Sequence, residues 1–135
     1  MIRFLLAFAL TIAALPVRAI EIQEITSPGG IDAWLVQENS IPFVAVELVF
    51  DGGATLDLPG KRGATNLMMA LIEEGSGDLD ARAFQEAREA LAASFSFRTY
   101  DDSVSVSAVV LTENRAEAMA LLRYALINPR FDDDA

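Results

Sequence analysis

The chain contains neither cysteine nor histidine. The first absence excludes disulfides, thiol catalysis and every cysteine-based metal site. The second removes the nitrogen ligand that zinc sites usually require and the base of any serine triad. A metal would have to be held by oxygen alone. Basic residues are also scarce, 10 against 20 acidic, for a net charge of −10. Such a surface repels phosphate backbones and anionic headgroups, so a nucleic-acid partner is excluded and the acidity serves solubility. With 135 residues there is room for one modest domain, and an apolar content of 53 % is far above that of a disordered chain.

The only long apolar run is Phe4–Leu15, too short to span a bilayer, which takes roughly 20 residues. It follows a basic start at Arg3 and precedes "PVRA", with small residues Val17 and Ala19 at the −3 and −1 positions. This is the pattern of a secretory signal over residues 1–19, with cleavage after Ala19; the rival is an uncleaved anchor. No cysteine follows it, so a lipoprotein anchor is excluded. Removing Arg3 and Arg18 with the leader takes the net charge from −10 to −12. The mature chain is expected to be periplasmic or secreted, with no stable membrane insertion.

From residue 20 the pattern alternates between strand and helix periods. Ile20–Thr26 reads as a strand, "SPGG" as a turn, and "IDAWLVQE" as a second strand with Ile31, Ala33 and Leu35 on one face. "FVAVELVF", interrupted only by Glu47, predicts a central strand covered on both faces. A glycine-rich connection, Asp51 to Gly63, leads to a helix in which Ala64, Leu67, Met68 and Leu71 share a face. Met69, Ala70 and Ile72 widen that face almost all round, so this helix is expected to be buried, with Gly75 ending it. Asp80 predicts the cap of a second helix with Phe84, Ala87 and Leu91 inward. "SFSFRTY" and "SVSVSAVVL" alternate around Asp101 and Asp102, as a hairpin with one packed face would. Thr112 is expected to cap a third helix that stops at Pro129. The order β-β-β-α-α-β-β-α predicts an α+β fold, an antiparallel sheet with helices packed on one face.

Gly63 and Thr65 lead into the first helix and Gly75-Ser76 follows it. With Asp51-Gly52-Gly53 before it, Leu79-Asp80 after it and Asn128-Pro129-Arg130-Phe131 at the far end, the chain resembles the insulinase/pitrilysin-type zinc peptidases. Each motif alone is weak; their order and spacing carry the resemblance, which covers essentially the whole mature chain. That family bears an inverted H-x-x-E-H on this helix, two histidines for zinc and a glutamate as general base. The resemblance implies that Asn66 stands for the first histidine, Met69 for the glutamate and Ala70 for the second histidine. A neutral amide is a feeble ligand, a thioether accepts no proton and a methyl group offers no donor atom. All three roles fail together. No catalytic residue, metal site or cofactor is therefore expected.

Other candidates are weaker. Glu73 and Glu74 read as a solvated helix end pointing away from Asn66. Asp132, Asp133 and Asp134 read as an acidic tail rather than the six to eight shaped oxygens of a calcium site. "DGG" and "PGK" lack phosphate-loop spacing. Ser94, Ser96, Ser103, Ser105 and Ser107 alternate as a polar strand face. The resemblance further implies that residues 20–135 form the N-terminal, truncated part of a longer peptidase-like domain with an open sheet edge. Three functions stay open: a non-catalytic subunit completing the substrate chamber of a zinc-binding partner in a hetero-oligomer, a stand-alone module binding extended peptides along a sheet edge, and a degenerate fragment without function.

Overall fold

The computed structural model describes residues 20–132; the expected signal segment lies outside them. The described chain divides into two compact units between Ser40 and Ile41.

The first unit is a hairpin of β1 (Ile22–Thr26) and β2 (Asp32–Val36), in register from Ile22↔Val36 to Thr26↔Asp32. Its turn closes because Gly30, at φ +80°, donates its N–H to the Ser27 carbonyl at 2.9 Å, while the Ser27 hydroxyl oxygen accepts the Ile31 N–H at 2.9 Å. Apolar side chains point to both faces, and Trp34 is 81 % exposed.

The second unit is an antiparallel sheet with three helices. Its elements are β3 (Phe43–Asp51), a 3₁₀ turn (Ala54–Leu56), α1 (Ala64–Leu71), β4 (Gly75–Ser76), β5 (Leu79–Asp80), α2 (Ala81–Ala90), β6 (Ser94–Thr99), β7 (Ser103–Leu111) and α3 (Arg115–Ile127). The main sheet has the order β3-β7-β6, with Phe43↔Leu111 through Asp51↔Ser103 on one side of β7 and Ser94↔Val109 through Thr99↔Val104 on the other. The inward face carries Phe95, Val106, Ala108 and Val110, all buried. Against them pack Phe84 of α2 and the stripe Ala118, Leu121, Leu122 and Ala125 of α3, at the i, i+3, i+4, i+7 spacing of one helix face. The α+β expectation with helices on one face holds. Asp80 caps α2 as its sequence position predicts, its Oδ1 accepting the Ala83 N–H at 2.8 Å.

Three expectations are corrected. First, among the described residues β3 is an edge strand and β7 is central. The apolar run of β3 has residues for two covered faces, but only Val44, Val46 and Leu48 are half-buried, whereas Val49 is 63 % exposed. Second, α1 is not buried all round. Its inner residues are Met69 and, just past its end, Ile72, while Leu67 is 61 % and Met68 41 % exposed. The helix closes at Leu71, and Gly75 opens β4 instead of capping it. Third, Thr112 does not cap α3. Its N–H still serves the sheet margin, donating to the Pro42 carbonyl at 3.0 Å. Asn114 takes the N-cap position, and its side-chain amide donates to the Leu91 carbonyl at 2.9 Å, tying α3 to the end of α2. Among the described residues no helix is long and apolar enough to cross a membrane.

Candidate functional site

The helix α1 is the element on which the family's chemistry would stand. It starts where Gly63 adopts φ +94°, a left-handed conformation that favours glycine and that brings no capping side chain. The missing cap is supplied from upstream. The Asp57 carboxylate accepts the Gly63 N–H at 2.6 Å through Oδ2, and the Thr65 N–H at 3.0 Å and Thr65 hydroxyl at 2.6 Å through Oδ1. The Thr65 hydroxyl, then its amide, hold the Asp57 carboxyl below the usual carboxylate range; partial burial opposes them, and the Gly63 and Ala64 amides add to the lowering. In the sequence Asp57 lies within the glycine-rich connection with nothing local to mark it. The signal that would have found it is a carboxylate a few residues ahead of a glycine at a helix start.

On this frame Asn66 and Ala70 lie one turn apart and both are exposed. Met69 between them is only 3 % exposed and belongs to the core. The three positions are therefore split: two face solvent with neutral side chains, and one is packing. Two carboxylates that flank α1 are occupied. Asp57 holds the helix start. Glu73 is not the solvated group expected: its Oε2 accepts from Arg88 Nη1 at 2.6 Å, and its carbonyl accepts from Gln85 Nε2 at 3.3 Å, so it braces α1 against α2. Glu74 is half-buried.

The remaining candidates have structural roles. Gly53 is buried, and a Cβ there would collide with the Tyr100 carbonyl oxygen and sit 2.7 Å from the Ser103 nitrogen. The "DGG" stretch thus docks against the β6–β7 turn. The alternating serines lie on the outward sheet face as read, with Ser96 opposite Ser107, although Ser105 is buried between its neighbours in the sheet. Asp132 accepts from Arg130 Nε at 2.7 Å; Asp133 and Asp134 lie outside the described residues. Among the described residues no three acidic side chains gather as a metal site would need.

A fold of this order, with a helix in the insulinase-type frame that bears Asn66, Met69 and Ala70 in place of H-x-x-E-H, points to a class: a peptidase-like fold. The sequence profile of the insulinase family, peptidase family M16, matches residues 34–135, and the chain belongs to that family. It is 28 % identical over 102 residues to the non-peptidase homolog YmxG of Helicobacter pylori (strain ATCC 700392 / 26695), an overlap of 75 % of this chain and 24 % of that protein. It also resembles the crystal structure of a peptidase M16 inactive domain from Pseudomonas fluorescens, with a TM-score of 0.77 and 25 % identity over 85 % of this chain and 28 % of that one. The chain thus spans 24–28 % of the length of these two relatives. Both relatives are described as inactive, one as a non-peptidase homolog and one as an inactive domain.

Proposed function

We propose that this chain belongs to an exported, non-catalytic subunit that helps form the peptide chamber of a zinc-bearing H-x-x-E-H partner. The observation that carries the reading is the state of α1. The helix is anchored, with Asp57 at its start and the Glu73–Arg88 pair at its end, while Met69, which the resemblance sets in the place of the catalytic glutamate, lies in the core. Its solvent face offers Asn66 and Ala70, small neutral groups that line a surface without reacting on it. An anchored helix without reactive groups fits a wall better than a catalyst. The leader-like residues 1–19 support export to the periplasm or beyond.

The test is co-expression with an H-x-x-E-H family member from the same genome. The proposal expects the two to co-purify and to cleave an unstructured peptide faster together than the zinc-bearing member does alone. Full activity of that member by itself, with no association, would defeat it.

A second reading draws on the sheet. Among the described residues β3 and β6 each pair on one side only, and β6 runs beside α1, with Thr99 Oγ1 3.5 Å from the Thr65 carbonyl oxygen. An open edge offers main-chain donors and acceptors to an extended peptide. Saturable peptide binding by this chain without any partner distinguishes that reading from the first.

A further inference from the structure

The segment from Gly52 to Arg62 is tied at both ends, and the two ties differ in kind. At its start the bonds run to main-chain oxygens of the β6–β7 turn. The Gly52 N–H donates to Asp102 at 2.7 Å, the Ala54 N–H to Tyr100 at 2.9 Å, and the Thr55 N–H and hydroxyl both to Asp101, at 2.9 and 2.7 Å. At its end a single side chain, Asp57, grips Gly63 and Thr65.

The helix it grips has little else to define its first turn. Gly63 brings no capping side chain, and no acidic residue lies in that turn. Eight residues are too few for a stable isolated helix, which needs roughly 12–15. The helix buries one of its own side chains, Met69, where α3 buries four. We propose that Asp57 is the latch of a strap, Gly52–Arg62, that couples the β6–β7 turn to the position of α1. With the carboxylate in place the first turn is closed and Asn66 and Ala70 are held relative to the sheet. With it released that turn opens while the sheet and α3 stay formed. Asp57 lines one cleft together with Arg62 and Asp101, and Lys61 lies on the strap itself.

Amide resonances of the full chain, followed from neutral to acid pH, test this. The Gly63 and Thr65 amides should titrate together, with a midpoint below about 3.9, the ordinary aspartate value. Amide hydrogen exchange supplies the second readout. In Asp57→Ala the Thr65 and Leu67 amides should exchange roughly fivefold faster or more, the size expected for one lost helix cap, while Val106 and Leu122 keep their protection. Thr65→Ser, which retains the hydroxyl, should preserve slow exchange, and Thr65→Val should not. An ordinary midpoint in the unaltered protein overturns the latch, and so does unchanged exchange in a folded Asp57→Ala. If that variant does not fold, the titration of the unaltered protein decides alone.

Discussion

The hydroxyl of Ser76 lies 2.8 Å from the carbonyl oxygen of Tyr124 and 3.1 Å from that of Asn128, donating into the last turn of α3 from a residue that is itself fully buried. Around it the Gly77 N–H donates to the Asn128 carbonyl at 2.8 Å and the Arg130 N–H to the Gly75 carbonyl at 3.2 Å. Two short motifs distant in sequence, Gly75-Ser76 and Asn128-Pro129-Arg130, thus form one joint that satisfies the Asn128 carbonyl, which the helix end leaves orphaned, and gives the Tyr124 carbonyl a second donor beside the Asn128 N–H. Removing the donor leaves each carbonyl one other partner, the Asn128 N–H at 2.9 Å for Tyr124 and the Gly77 N–H for Asn128. Ser76→Ala is expected to cost about 0.5–1.5 kcal/mol, the net worth of one hydrogen bond, seen as a lower urea midpoint with an unchanged slope.

Gly53 is expected to be irreplaceable for reasons of space. A Cβ there would meet the Tyr100 carbonyl oxygen, which is backbone and not a side chain that can swing aside. Gly53→Ala should therefore destabilise by about 3 kcal/mol or more. Gly60 is the control. It has φ +81° and nothing within 4 Å of the place a methyl group would take, so Gly60→Ala should cost only the left-handed strain, about 1–2 kcal/mol. Equal losses in thermal or urea unfolding would show that the β6–β7 turn can yield.

Met69→Glu should weaken the fold by about 2–4 kcal/mol, because it places a carboxylate without partners where a side chain is now 3 % exposed. Such a group must either protonate or open its surroundings. Asn66→Ala, on the exposed side of the same helix, should cost at most about 1 kcal/mol. Urea midpoints of the two variants and the parent compare them. Equal stability of Met69→Glu and the parent would mean that the position opens to water, and that a cavity persists there.

The contrast between Met69 and its neighbours also marks where the sequence stops being readable. The order of strands and helices, the Asp80 cap and the outward serines follow from local pattern, and local pattern is what a sequence displays. The phase of α1 does not. With apolar residues almost all round, nothing in the helix says that Met69 and Ile72 face inward and Leu67 and Met68 outward. The edge position of β3 is hidden for the same reason, since an apolar strand reads alike with one face covered or two. Partners distant in sequence are also silent: Asn114 reaching Leu91, Arg88 reaching Glu73, and Asp57 reaching across a loop to Thr65. The pairing of β4 with β5 joins two residues to two, too short for any period. At the candidate site, the residue types at 66, 69 and 70 are legible in the sequence, whereas the Asp57 carboxylate at the helix start is not.

Restoring the family's residues should not restore the reaction. In the triple variant Asn66→His, Met69→Glu and Ala70→His, two imidazoles would stand on the solvent side of α1, short of the three protein ligands of a catalytic zinc. Neither would have the oriented supporting hydrogen bonds on which ligand geometry depends. The expected outcome is no zinc-dependent cleavage of an unstructured peptide. Turnover that chelator abolishes and zinc returns would refute this.

The claim that this chain is a peptidase-like framework without metal chemistry is tested most directly by its zinc content. The purified protein, dialysed and measured by elemental analysis, should hold far less than one zinc per chain, as a sequence without histidine or cysteine predicts. Stoichiometric zinc that survives dialysis would contradict the account.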